Sequence, residues 1–469
     1  MKQWTKQAVE NWVDDRREEM ISDLIRIVNI RSVAEVENPS VLPFGQGCKD
    51  VLEKMLSMGR KEGFIVHNYE GYVGCISLND KEKDVGIWAH LDVVNEGEGW
   101  QYEPYAACVK DGYVIGRGAN DNKSSAIMGF YVLKFFKENK IDLSHNIRLY
   151  LGTCEEQGMY DLDYYVAHYK CPDRSLVPDS GFPVCCGERG AFNGILLSRE
   201  PLSDEIIDFY TSDQWYMIPD KAVIRLKNTV DRREKCKKLS GNIQITMTNE
   251  EIVLSAKGVA ANAAQPMSGV NAMQILLQEI HDKQMVSEKD DKIFSLCRRI
   301  NEEYHGSALD VFCEDEWSGP MILVATKGKM QNRCLQISFI SKYPVSKNEM
   351  DFPELVRKAC QRYGMELEVT RYEKANYFNP KDRLAQVMTD TYNTYMGCSE
   401  RPFVMSGGTY ARKLPRAFAC GTGMNLVRNA GSVFLPGHGD YHQPDEAILI
   451  ERIQKALVIY ILGIMKYCS

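Results

Sequence analysis

Apolar and polar positions change rhythm along this chain. In the first third, short apolar runs alternate with stretches whose apolar residues recur at helical spacing. The spacing predicts helix over 7–28, a strand at Val85 to Ala89, helix over Ser124 to Lys137, and strands at Ile147 to Leu151 and Leu176 to Val177. Such alternation predicts an α/β layer on a mixed, mostly parallel sheet. From about 188 to 378 the texture becomes α+β. Strand-like runs at Ala222 to Leu226, Asn242 to Met247, Ile252 to Ala256, Met321 to Ala325, Cys334 to Ile340 and Glu366 to Thr370 flank helices at about 270–281 and 352–363. After Asn379-Pro380 the helical, glycine-rich α/β texture resumes. The apolar run Ala456 to Met465 is shorter than the ~18 residues a membrane span needs. Glu451, Arg452 and Lys455 precede it at helical spacing, so a packed terminal helix is expected.

Composition narrows the class. At 469 residues the chain is too long for one ordinary core. Its net charge of −7 gives no electrostatic footprint for nucleic acid or an anionic membrane. The 15 cysteines are odd in number, scattered and without a CxxC pair, and the charged start has no apolar leader. Both features predict a reducing, cytoplasmic setting.

Candidate chemistry sits where strands end. AHLDVVN, residues 89–95, places His90 and Asp92 two apart on one face of an extended chain. The carboxylate there is suited to fixing an imidazole whose other nitrogen binds metal. GRGANDNKSSA, 116–126, is a glycine-rich turn feeding a helix, where Asp121, Asn122 or Ser124 would equally serve as a cap. GTCEEQG, 152–158, sets Glu155 beside Glu156, a pair able to divide general-base and ligand roles or simply to be solvated. Asp179 lies in a turn between two prolines. In GHGDYHQPDE, 437–446, His438 and His442 have a helical zinc spacing, but Pro436, Gly437 and Gly439 oppose a helix, so one ligand at most is expected and His438 reads as a surface histidine. Together the clusters supply imidazole and carboxylate donors that suit zinc, manganese or cobalt, with a composition sized for two ions.

The ordered set AHLDVV, GRGxxDxK, GTxEE, PDxxFPV, GGTYAR and HQPDE resembles, over the whole chain, the co-catalytic dizinc peptidases that include carnosinases, aminoacylases and glutamate carboxypeptidases. The match is best to the PepV-type bacterial dipeptidases. The resemblance implies a discontinuous catalytic domain, 1–187 and 379–469, with 188–378 inserted as an α+β, ferredoxin-like lid long enough for two such units. It implies that His90 and Asp179 hold one divalent ion, most often zinc, and Glu156 and His442 the other. Asp121 would bridge them, followed by a cis peptide bond. Glu155 would be the general base for a metal-bridged hydroxide that hydrolyses a dipeptide, and Asp92 would orient His90. Arg412 would read the free carboxylate of a small peptide, with Gly407, Gly408 and Thr409 leaving room for it. A lid with both halves on one chain implies a monomer.

The chain departs from that pattern in the lid. Tyr216 adds bulk where an asparagine is usual, Asn262 stands for a histidine, and Lys342 stands for an arginine and loses the bidentate fork. Near the metals, Asn122 replaces an aspartate, Cys154 an aspartate, and Ser124-Ser125 a Gly-Pro. The departures keep two further readings open: a metal-binding pseudo-peptidase that binds peptides without efficient turnover, and an amidase on N-acyl amino acids. Cys154, beside the base, is a thiol to examine for metal or redox sensitivity.

Overall fold

A computed structural model describes residues 4–36, 42–214, 216–424 and 433–469. The chain divides into two compact units: Met1–Gly187, Phe378–Phe403 and Gly408–Ser469 form the first, and Glu188–Tyr377 with Val404–Gly407 the second.

In the first unit, strands run in the order Ile65–Tyr69, Val73–Ser77, Asn146–Gly152, Asp84–His90, Arg174–Val177, Ala417–Ala419 and Cys185–Glu188. The central pairs are parallel and the outer ones antiparallel. Asp84–His90 is buried along its whole length, which is why it reads as an apolar run rather than as an alternation. The helices Lys123–Glu138 and Ile450–Cys468 pack on each other, and the first also packs on the central strands. The helix expected over 7–28 is two, Lys6–Asp15 and Arg17–Val28. They break at Arg16, whose guanidinium reaches Glu138 at 2.9 Å. A separate three-stranded sheet pairs Ala447–Leu449 with Tyr113–Ile115, and that strand with Cys108–Lys110.

The parallel register aligns His90 with Gly152. The segments following His90, Gly152 and Val177 therefore leave neighbouring strands at the same carboxyl edge, where open α/β sheets place ligands.

The main sheet of the second unit is antiparallel with eight strands, in the order Ile243–Met247, Glu251–Lys257, Lys221–Lys227, Ile206–Thr211, Ile322–Gln331, Cys334–Tyr343, Gly190–Ser198 and Met365–Glu373. Cys334–Tyr343 alternates strictly between buried and half-buried positions, as expected with one face on the core. Helices Ala272–Asp282, Glu288–Glu303 and Phe352–Gln361 pack on the sheet, and a core from Phe192 to Ala375 lies beneath them. Glu288–Glu303 is absent from the sequence expectations, although Ser287 caps it by accepting from the Asp290 N–H. Among the described residues no helix is long and apolar enough to cross a membrane.

Candidate active site

His90 ends its strand almost fully buried. Its Nδ1 lies 3.0 Å from the main-chain oxygen of Asp92 and 3.5 Å from Asp92 Oδ1. A neutral His90 with its Nδ1 proton directed there would present the Nε2 lone pair to Asp121 Oδ1 at 3.0 Å and Asp179 Oδ2 at 3.8 Å. Asp121 turns its other oxygen, Oδ2, toward His442 Nε2 at 3.2 Å, and Glu156 Oε1 is 3.0 Å from the same nitrogen. One carboxylate thus stands between two imidazoles, each with a second carboxylate beside it. Donor atoms of His90, Asp121 and Glu156 all lie within 4.8 Å of one another. Acceptors facing acceptors at these distances require a proton or a cation between them.

The electrostatics show the same demand. Burial opposes a charged His90, yet hydrogen bonds to Asp121 and Asp92 and the charge of Asp179 hold its pKa well above the ordinary value. Hydrogen bonds to Asp121 and Glu156 raise His442 to about 10. Burial also works against ionised Asp121, but bonds from His442 and His90 hold that carboxyl below the usual range. Burial, together with the charges of Asp179, Glu156 and Asp92, pushes Glu155 well up against the pull of His90. Glu156 is raised by burial. The donor set of imidazole and carboxylate, with its surplus of negative charge, fits divalent cations.

The family model described as Peptidase family M20/M25/M40 matches residues 86–466. The chain belongs to this family. YtjP of Bacillus subtilis (strain 168), provisionally named a dipeptidase, is 26% identical over 467 residues, covering 96% of this chain and 98% of its own. The Beta-Ala-Xaa dipeptidase of Lactobacillus delbrueckii subsp. lactis is 25% identical over 431 residues, covering 87% and 89%. Human carnosine dipeptidase 1 has the same fold at a TM-score of 0.56 and 14% identity, over 99% of both chains.

The loops of this M20 peptidase are held by buried carboxylates. Asp92 accepts the N–H of Glu155 at 2.9 Å and of Glu156 at 3.0 Å, so its carboxylate secures the 155–156 turn as well as standing beside His90. Asp161 Oδ2 accepts the N–H of Thr153 at 2.7 Å and of Cys154 at 2.9 Å, and also the hydroxyl of Tyr410. Among the described residues no side chain donates to the Glu155 carboxyl. Asn122 stands at the N-cap of its helix, but its side chain makes no cap bond: its amide donates to Asp179 Oδ1 at 2.7 Å and to Pro178 O at 2.9 Å, fixing the Asp179 carboxylate. The peptide bond between Asp121 and Asn122 is cis. Cys154 is buried with Ala34, Phe44 and Cys48, and burial pushes its thiol up, which disfavours the thiolate that metal binding requires. His438 pairs with Asp445 at 2.6 Å and is not part of the cluster.

In the GGTYAR segment, Thr409 Oγ1 accepts the N–H of Ala411 at 3.1 Å, shaping a 3₁₀ turn over Tyr410–Arg412. A Cβ on Gly408 would stand 3.0 Å from Arg412 Nε. The ring of Tyr410 is 6.3 Å from that of His90, so this turn borders the cluster.

Tyr216, Asn262 and Lys342 belong to the second unit. Ala263 N–H donates to Tyr216 O and Ile218 N–H to Ala261 O, both at 2.9 Å, and Met217 bridges to Asn262. Ile218 and Ala261 pack on Val324, whose neighbours Leu323 and Ala325 point into the helix-covered core. Lys342 is paired with Ile322 on the Val324 face. The segments bearing Tyr216 and Asn262 therefore reach the Val324 side of the sheet, the side on which Lys342 stands. Asn262 Oδ1 already accepts the N–H of Ala264 at 2.8 Å, so its amide nitrogen is the group left to donate.

Asp161, Tyr410, Arg117 and Glu446 escape sequence reading as parts of the site. The signals were an arginine inside GRG, a tyrosine inside GGTYAR and a glutamate closing HQPDE, while Asp161 falls in none of the motifs.

Proposed function

We propose that this M20 peptidase is a dimetal dipeptidase. The observation that carries the reading is Asp121, whose two carboxylate oxygens face His90 and His442 at 3.0 and 3.2 Å. His90 and Asp179 would hold one ion and Glu156 and His442 the other, with the Asp121 carboxylate available to both. Bound divalent ions supply Lewis acidity toward the scissile carbonyl and the attacking water. Glu155, buried and raised, takes the proton of that water and returns it to the leaving amine. Asp92 keeps His90 in the tautomer that offers Nε2 and fixes the backbone of the base. Arg412, in a turn made tight by Gly408 and Thr409, pairs with the free carboxylate of the peptide.

Residues 1–187 and 379–469 are read as the catalytic domain and 188–378 as a lid of ferredoxin-like units. Asn262 provides an uncharged donor for the oxyanion, Lys342 a positive charge, and Tyr216 bulk that restricts the substrate. The dipeptidase names of the relatives support a dipeptide with a free carboxylate.

The test is metal analysis of the purified chain with hydrolysis of dipeptides and N-acyl amino acids. Two equivalents of zinc, manganese or cobalt and cleavage of dipeptides are expected. Glu155→Ala should lower turnover by about 10² to 10⁴ while the metal content stays. Unchanged turnover in that variant rules out Glu155 as the base, and cleavage confined to N-acyl substrates makes the protein an amidase.

A further inference from the structure

Glu446 follows His442 by four residues and is wholly buried. Its Oε1 accepts three main-chain N–H groups of the turn that carries Asp121: Gly118 at 3.1 Å, Asn120 at 3.0 Å and Asp121 itself at 2.9 Å. Its Oε2 accepts from Arg117 Nη1 at 2.7 Å, and its own carbonyl accepts the N–H of Gly116 at 2.8 Å. Arg117 is equally buried and spends its second nitrogen on the carbonyls of Asn95 at 3.3 Å and Glu96 at 3.0 Å, in the segment that leaves His90. The strand Ala447–Leu449 begins at the next residue and pairs Ala447 with Ile115, just before the Asp121 turn.

The segments bearing His90, Asp121 and His442 are therefore tied at one buried ion pair. An isolated buried carboxylate is costly, and here Arg117 and the three N–H groups offset it. A turn free to relax by half an ångström would not keep two ligand oxygens aimed at two imidazoles, because metal–oxygen bonds tolerate only a few tenths of an ångström.

We propose that Glu446 is a positioning residue of the metal centre: through Arg117 and the 118–121 N–H groups it sets where the Asp121 carboxylate stands between His90 and His442. The inference rests on the metal reading above. It predicts that geometry at the ions, and not only fold stability, depends on a side chain that touches neither ion nor substrate.

Glu446→Asp keeps the charge but is one methylene shorter, so it serves Arg117 or the N–H groups and not both. Arg117→Lys keeps a cation for Glu446 and loses the bonds to Asn95 and Glu96. The full-length chain, stripped of metal, is titrated with cobalt(II) and followed by its visible absorption. Glu446→Asp should weaken cobalt binding by about 10- to 100-fold and shift the bands, with Arg117→Lys moving in the same direction by less. Ile464→Val, a buried change in the terminal helix, supplies a destabilised control that should keep the native bands.

Cobalt affinity within twofold of the unmodified chain and unchanged bands in Glu446→Asp would overturn the role of Glu446. If that variant does not fold, the same result in Arg117→Lys overturns it. An unmodified chain that takes up no cobalt overturns the metal reading, and this inference with it.

Discussion

Four consecutive N–H groups, from Thr153 to Glu156, point at two buried carboxylates: Asp161 takes the first two and Asp92 the next two. The turn bearing Glu155 and Glu156 is thus held by two buried carboxylates. Burial and the charge of Asp92 push Asp161 up to about 6 from 3.8, although Tyr410, Cys154 and Thr153 all donate to it. Between those values the native state keeps a proton that the unfolded chain has lost. Stability from this group therefore falls as pH rises through the window and stays lower above it, by up to about 3 kcal/mol. Asp161→Asn keeps an acceptor oxygen but cannot ionise. In the presence of chelator, the urea-unfolding stability of the native chain relative to Asp161→Asn should fall from about pH 4 to about pH 6. A difference independent of pH would show that Asp161 does not titrate there. This support was hidden in the sequence because Tyr410 lies 249 positions from Asp161, and Glu446 325 from Asp121. The candidate donors could be picked out because each falls in a short motif, at a strand end for His90, Glu156 and Asp179 and in a loop or turn for Asp121 and His442.

At the level of elements, buried parallel strands were readable as apolar runs, and six of the eight strands in the second unit's main sheet as strand-like runs. The helix Glu288–Glu303 was not, because charged positions interrupt Ile293, Phe294, Leu296, Cys297 and Ile300 and mask the apolar stripe. The strand expected at Ile147 to Leu151 is Asn146–Gly152, but what its last glycine makes room for was not readable. Asn146–Gly152 ends at a glycine whose added Cβ would stand 1.8 Å from the Tyr410 hydroxyl and 2.5 Å from Asp161 Oδ2. That strand end, the Tyr410–Arg412 turn and the 153–156 turn share one contact. Gly152→Ala should therefore destabilise by about 1–3 kcal/mol and lower turnover as well. Gly241→Ala, with nothing within 4 Å of its Cβ, should stay within about 0.5 kcal/mol of the parent. Thermal melts and dipeptide assays on the two variants check this. Equal melts would mean that Tyr410 moves aside freely and that the contact constrains nothing.

For the whole molecule, two compact units on one chain raise the question of what the second contributes to chemistry. The first unit holds every residue of the His90–Asp121–His442 cluster and has its own mixed sheet with a parallel centre. Its chain ends are already together where the second unit departs, since Phe378 N–H donates to Cys186 O at 2.8 Å. Replacing 188–377 by a few glycines therefore closes a short loop, and loop closure on that scale costs little. The shortened chain should fold, bind cobalt with nearly native affinity and keep the cobalt bands. If Asn262 and Lys342 act on the substrate, its dipeptide turnover should fall by more than about 10², the loss that follows removal of one oxyanion donor. Adding Asn262→Ala to the full-length chain should reproduce part of that loss without altering metal content. Turnover within tenfold of the full chain after excision would remove the second unit from the mechanism. It would leave Glu155, Arg412 and the proposed metal ligands as the whole of the catalytic apparatus. Loss of metal binding on excision would instead mean that the ligand loops depend on the second unit for their shape, contrary to a site held by Asp92, Asp161 and Glu446 from within the first.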